Sequence, residues 1–194
     1  MLGIFLDQET TGLDSAKHKL LEIAIKVVDL STGQLEATYE AIIAQPEAAF
    51  KESDPGALEV NGFSWDALRG GKSQQMAASE IIALFKKLGI VRKKAVFICQ
   101  NPSFDRAFFA HLIPPYEQEK MVWPYHWLDL ASMYWALELK KSQTQERDLP
   151  DEIVLSKDTI AKSLGLPGEE KPHRAMHGVD HLLECYTKLV GYCK

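Results

Sequence analysis

Leu2-Gly3-Ile4-Phe5-Leu6-Asp7-Gln8-Glu9-Thr10-Thr11-Gly12-Leu13 is the stretch that decides how this chain is read. Residues 2–6 form an apolar run that passes into a polar stretch and a glycine, the pattern of a buried strand at the start of the chain. Side chains two apart on a strand share a face. Asp7 and Glu9 are therefore expected to project side by side from the strand's end, just before a turn at Gly12. Two carboxylates held that close repel each other unless a cation sits between them, and hard oxygen donors suit Mg²⁺ or Mn²⁺. An isolated D-x-E is far more often a solvated surface turn, so the reading depends on whether further acids arrive at the same place.

Two other segments bring them. Residues 95–98 form a second strand-like run, followed by Cys99-Gln100-Asn101-Pro102-Ser103-Phe104-Asp105. Near the C-terminus, Pro172-His173-Arg174-Ala175-Met176-His177-Gly178-Val179-Asp180 opens a helical pattern. Each acid has an ordinary reading beside the functional one. Asp105 could cap the helix at 103–112, and Asp180 could favour a helix N-terminus through its dipole.

The remaining pattern builds a sheet around the first strand. Residues 20–30 and 36–44 read as strands joined by the turn Ser31-Thr32-Gly33-Gln34. With residues 2–7 they make an antiparallel meander, and 94–99 is the fourth strand. Helices are expected at 55–60, 65–68, 75–88, 103–112, 127–139, 158–164 and 179–192, and a mobile polar loop at 140–152. The fold class is α/β: a mixed central sheet, an antiparallel meander plus parallel strands, flanked by helices. One domain is expected over 1–194.

On these motifs the chain resembles the DEDD 3′→5′ exonuclease superfamily, in particular its histidine-bearing, DnaQ-like branch. Residues 7–13 match D-x-E-T-T-G-L, Asn101 to Asp105 match N-x-x-F-D, and the third motif, H-x-A-x-x-D, is met in part. Glu59-Val60-Asn61-Gly62-Phe63-Ser64, Leu128-Asp129-Leu130 and residues 155–166 are similar to secondary segments of the family. The resemblance spans nearly the whole chain, in order. It implies an RNase H-like topology and a two-metal hydrolysis of phosphodiester bonds at the 3′ end of single-stranded DNA or RNA, with DNA favoured and nucleoside 5′-monophosphates released. Two divalent ions, Mg²⁺ or Mn²⁺, about 4 Å apart, would activate water and stabilise the leaving oxygen. The resemblance assigns Asp7 as bridging ligand, Glu9 and Asp180 to the ion that activates water, Asp105 to the leaving-group ion, and His173 as general base. An imidazole of ordinary pKa, about 6.5, can take that proton near neutrality. Thr10, Thr11, Gly12 and Leu13 would meet the terminal nucleotide, Asn101 would position the 3′ end, and Phe63 and Phe104 would line the base pocket. A polymerase partner or a homodimer is compatible with the family.

The third motif departs from the pattern. The family aspartate lies five residues after the histidine, where this chain has Gly178, and the next acid is Asp180. Two residues on a continuous helix rotate a side chain by about 200°. Placing Asp180 at the metals therefore requires an irregularity, which Gly178 could supply. His177 competes with His173 as the base, because it lies three before Asp180 and shares its face if both are helical. The disturbed spacing also leaves open a catalytically degenerate nucleic-acid- or protein-binding module on the same scaffold.

Composition bounds the partners. The net charge of −5 argues against a broad basic surface for long nucleic acid and fits an enzyme that grips a few nucleotides at one end. No run of 18 apolar residues suggests a membrane span. Three scattered cysteines suit neither a disulfide framework nor a zinc site, and a reducing cytoplasm is the expected compartment.

Overall fold

The computed structural model describes residues 1–145 and 152–193. Its centre is a five-stranded sheet in the order β3-β2-β1-β4-β5. The strands are β1 (Leu2–Thr10), β2 (Leu20–Asp29), β3 (Leu35–Ile42), β4 (Ala95–Cys99) and β5 (Trp127–Asp129). β1 pairs antiparallel with β2 and parallel with β4, β2 pairs antiparallel with β3, and β4 pairs parallel with β5. The meander and the mixed sheet match the expectation. β1 lies in the middle, so both of its faces are buried, which is why residues 2–6 read as an unbroken apolar run.

Alternation along β1 sorts the core into two layers. Ile4 and Leu6 point to the face covered by α4 (Gln74–Lys87) and α5 (Pro102–Leu112), where they join Ile25, Phe85, Phe97, Phe109 and Trp123. Phe5 points to the other face, covered by α7 (Leu130–Thr144), α8 (Lys157–Ser163) and α9 (Ala175–Leu189), where it meets Ala24, Val179, Leu182, Cys185 and Tyr186. The Phe5 and Tyr186 rings pack edge to face at 5.1 Å. Asp7 and Glu9 continue the Phe5 series, so they emerge beneath the N-terminal end of α9.

Short helices α1 (Glu47–Lys51), α2 (Pro55–Asn61) and α3 (Trp65–Leu68) follow the meander, and α6 (Pro115–Lys120) follows α5. Residues 127–139 are not one helix. Trp127 instead extends the sheet, its ring stacked flat on Phe97 at 4.1 Å and 7°. Asp129 then caps α7 by accepting from the backbone N–H groups of Ala131 and Ser132. Stacking against a buried aromatic outweighs a helical pattern this short. The last helix begins at Ala175 rather than 179. Of the loop expected at 140–152, α7 takes residues up to Thr144, and residues 146–151 lie outside the described ones. Among the described residues, no helix is long and apolar enough to cross a membrane.

Phe97 is fully buried between Phe85, Phe109 and Trp127. Phe97→Ala is expected to destabilise the fold by about 3–5 kcal/mol, measured as the shift in a urea unfolding curve. A loss below about 1 kcal/mol would show that this aromatic cluster does not anchor β4 and β5.

Candidate active site

The crevice outside the carboxyl ends of β1 and β4, where open α/β sheets bind ligands, holds the acids. Asp7 and Glu9 are the last acids of β1. Asp105 lies in the first turn of α5 and is only 3% exposed. It reaches the crevice because Asn101, at the N-cap of α5, takes a left-handed conformation (φ 54°, ψ 63°) that asparagine tolerates better than most residues. Its backbone N–H donates to Asp129 Oδ1 at 3.0 Å, and its side-chain Oδ1 accepts from Ser103 Oγ at 2.7 Å. The strand of Asp7 and the helix of Asp105 thereby converge on one cleft of about 610 Å³, a volume suited to a nucleotide-sized ligand.

Burial raises the proton affinity of all three carboxyls. Asp7 is pushed up to about 7, by desolvation first and then by Glu169 and Glu22, against the pull of Lys157. Glu9 is pushed up to about 8 by desolvation, Asp7, Glu169 and Glu22. Asp105 is raised well above the carboxylate range by desolvation and Asp7. Glu22 stands opposite Glu9 across the β1–β2 ladder, a like-charge pairing that a sheet tolerates poorly. It is held there by the backbone N–H of Ala175, which donates to Glu22 Oε2 at 2.8 Å at the start of α9.

Lys157 reaches into this cluster. Lys157 Nζ, 11% exposed, stands 3.8 Å from Asp7 Oδ1 and 2.8 Å from Glu169 Oε2, and donates to the carbonyl of Gly178 at 3.2 Å. Burial alone would lower its proton affinity, but Asp7, Glu169 and Asp105 outweigh burial and raise it. Glu169, Lys157 and Glu22 had no motif to mark them. Lys157 lies within residues 155–166 and Glu169 four residues before His173, but neither stands at a motif position, and only the fold brings them to β1.

The loop after β1 is locked by its own hydroxyls. Thr10 Oγ1 donates to Gly12 O at 2.8 Å, and Thr11 Oγ1 accepts from Lys19 N at 2.9 Å. Gly12 has φ +156°, and the His18 ring stands 2.6 Å from where a Cβ would be, so no other residue fits without displacement. The hydroxyls of Thr10 and Thr11 thus hold the loop, while Leu13 is left 85% exposed beside the cleft. Buried Asn61 donates from Nδ2 to Thr10 O at 3.1 Å and ties α2 to this loop.

The remaining expected site residues divide. Phe104 lines the cleft and packs on Phe108 at 5.0 Å. Phe63 does not line it. That ring is buried with Leu21 and Leu68, under the Arg174 guanidinium at 3.9 Å. His173 lines the cleft, and its backbone N–H donates to Val60 O at 3.1 Å. His177 instead lines a second groove, with Nδ1 3.7 Å from Glu170.

The placement of Asp180 at the acids is corrected. α9 runs unbroken through Gly178, so the irregularity that would have rotated Asp180 inward does not occur. Asp180 lies on another side of the helix, 45% exposed and paired with Lys26 of β2. Gly178 itself faces the cluster: a Cβ there would lie 1.9 Å from Asp7 Oδ2.

The donor set is chemically suited to a divalent ion, since it consists of carboxylates whose proton affinity is raised first by burial and then by their acidic neighbours. Among the described residues, no three His, Cys, Asp or Glu side chains stand close enough together to hold one ion as placed, and the nearest countercharge to Asp7 in the cleft is Lys157.

A mixed sheet with acids at the end of its central strand and in the first turn of the helix after β4, and a histidine in the same cleft, matches the arrangement expected of an RNase H-like exonuclease. A family model described as exonuclease, RNase_T, matches residues 4–186. The chain belongs to that family and is a DEDD-type exonuclease domain. Among curated proteins it is 30% identical over 134 residues to an oligoribonuclease of Vibrio parahaemolyticus, covering 67% of this chain and 71% of that protein. It is 24% identical over 192 residues to a PolC-type DNA polymerase III of Thermotoga petrophila, covering 98% of this chain but 12% of the polymerase. Among solved structures, E. coli exonuclease I in a zinc-bound complex with single-stranded DNA superposes with a TM-score of 0.74 at 20% identity, over 97% of this chain and 40% of that one. Cell-death related nuclease 4 superposes with a TM-score of 0.72 at 11% identity, over 99% and 65%. At these identities the two structures establish the shared fold. Enzymes of the family generally use divalent metal ions.

Asp7 and Glu9 hold their protons more tightly folded than unfolded. Between about pH 4 and about pH 7–8 the folded state therefore carries the extra protons, and stability falls as pH rises through that window. With EDTA present, Asp7→Asn is expected to be more stable than the unsubstituted protein at pH 8, by on the order of 2 kcal/mol. The gain should vanish towards pH 4. Urea unfolding at both pH values measures it, and a variant less stable at pH 8 would contradict the assigned charge imbalance.

Proposed function

We propose that the chain hydrolyses the 3′-terminal phosphodiester bond of short single-stranded oligonucleotides and releases nucleoside 5′-monophosphates. The observation that carries this reading is the convergence of Asp7, Glu9 and Asp105 on one cleft with His173 at its wall. Asp7, Glu9 and Asp105 would hold divalent ions, Mg²⁺ or Mn²⁺. Such ions, when bound, neutralise the phosphate and make water a nucleophile near neutral pH. His173, partly exposed and backed by Glu169 Oε1 at 4.0 Å from Nδ1, would accept the proton of the attacking water. Exposed Leu13 would pack on the terminal base, and Phe104 would flank it. Asn101 would act on the substrate indirectly, by setting the start of α5, and the Thr10 and Thr11 hydroxyls by fixing the loop under the 3′ end.

The net charge of −5 favours an end-on grip of few nucleotides over a long electrostatic track. On the sugar, DNA was the expected preference, while oligoribonucleases of three bacteria and a probable one of Schizosaccharomyces pombe stand among the relatives. We place both sugars within the substrate range. The free thiols Cys99, Cys185 and Cys193 accord with a reducing compartment such as the cytoplasm.

A second reading has a specific observation behind it. Gly178 stands five residues after His173, and an ammonium group reaches into the acids. A binding module that has lost catalysis would have these features.

A gel assay with 5′-labelled DNA and RNA oligonucleotides in Mn²⁺ separates the two. The expected result is a ladder shortening from the 3′ end. Asp7→Ala and Asp105→Asn should abolish it, His173→Ala should slow it about 100-fold or more, and His177→Ala should leave it within a few-fold. No shortening of either substrate would install the binding-module reading.

A further inference from the structure

We propose that Glu169, on the loop between α8 and α9, supplies the fourth carboxylate of the cation-binding cluster, in the space that Gly178 leaves open on α9. The inference rests on the exonuclease reading above and extends it to a residue outside the three motifs.

The space is defined by α9. Five residues after His173 the helix presents Gly178 to Asp7, so closely that a Cβ would stand 1.9 Å from Asp7 Oδ2. A glycine inside a helix costs roughly 1 kcal/mol relative to alanine, and here the contact with Asp7 accounts for it. After Asp7, the next carboxylate at the same point is Glu169, whose Oε1 lies 3.1 Å from that Cβ position. Where the helix presents no carboxylate, Glu169 brings one from the preceding loop.

Glu169 is built into place. Its side chain is 5% exposed. Lys157 Nζ meets Oε2 at 2.8 Å, while the Glu169 backbone N–H donates to Asp158 Oδ1 at 2.9 Å. Two consecutive residues at the start of α8 thus hold both its side chain and its backbone. The loop is also pinned from α9, where His181 Nε2 lies 3.0 Å from the carbonyl oxygen of Pro167. A carbonyl can only accept, so Nε2 carries the proton. In the neutral ring Nδ1 is then bare. That nitrogen is buried without a hydrogen-bond partner and faces Glu169 Oε2 at 4.0 Å. Lys157 is the ammonium group that meets the Glu169 carboxylate, at 2.8 Å. The same ammonium stands 3.8 Å from Asp7 Oδ1 and acts on Glu9 and Asp105 as well. Asp180, the alternative donor on α9, is engaged by Lys26.

The test is calorimetric titration of MnCl₂ into the metal-free full chain, in four variants beside the unsubstituted protein: Glu169→Gln, Glu169→Asp, Asp180→Asn and Asp7→Asn. Thermal unfolding by circular dichroism accompanies each. The expected result is a Kd for Mn²⁺ raised roughly tenfold or more by Glu169→Gln, a smaller rise for Glu169→Asp, which keeps the charge, and no change for Asp180→Asn. If the Glu169–Lys157 pair only fastens the loop, Glu169→Gln will lower the unfolding temperature and leave the Mn²⁺ affinity unchanged, which overturns the proposal. Weakening by Asp180→Asn equal to that by Glu169→Gln also overturns it. In both of these cases binding lost in Asp7→Asn keeps the exonuclease reading intact. An unsubstituted protein that binds no Mn²⁺ overturns both readings together.

Discussion

Mutual repulsion among desolvated carboxylates at the end of β1 is the constraint around which the rest of this structure is arranged. Asp7, Glu9, Glu22, Asp105 and Glu169 come from two strands, one helix and a loop, and Asp7, Glu9, Glu22 and Glu169 each raise the proton affinity of at least one other. A cluster of this kind is unfavourable for folding taken alone. The surroundings answer it piece by piece. Lys157 brings one positive charge. The N-terminus of α9 brings a backbone donor to Glu22 and the favourable end of its dipole. The apolar packing of Phe5, Val179 and Leu182 directly beneath holds α9 against the sheet despite the acids. An unfavourable charge set kept in a cleft marks a candidate ligand site.

The three-dimensional placement follows from strand geometry. A period of two carries the series Phe5, Asp7, Glu9 along one face of β1, with Phe5 sealing the core and the acids just beyond its edge. Parallel pairing of β1 with β4 brings the start of α5 to the same crevice. Asp105 therefore approaches Asp7 although 98 residues separate them. His173 approaches from the rim because its backbone is bonded to Val60 at the end of α2.

Much of this was legible in the chain. The apolar run at 2–6 marked the central strand because it is covered on both sides, and the acids after it stood out because two-residue spacing has one geometric meaning on a strand. What was not legible depends on tertiary contact. Trp127 has a helical neighbourhood in sequence, but stacking on Phe97 makes it a strand residue. Phe63 looks like a base-stacking ring, yet the Arg174 guanidinium covers it. Asp180 was placed at the cluster on the assumption that Gly178 breaks the helix. The helix is intact, and the glycine is needed for close approach to Asp7 rather than for an unusual backbone angle. Glu169 and Lys157 are ordinary surface residues by composition, and nothing local distinguishes them from the other charges of residues 152–171.

The central claim is that the carboxylate cluster is a site for divalent cations in the folded chain. Thermal unfolding at pH 8, in EDTA and then with Mn²⁺ in excess, tests it without reference to any substrate. Binding at about 100 times Kd adds roughly 2.7 kcal/mol, so the account predicts a rise in Tm of roughly 5–10 °C for a chain of this size. An unfolding temperature unchanged by Mn²⁺ and by Mg²⁺ would contradict it, and would leave the acids neutralised by Lys157 and by protons alone.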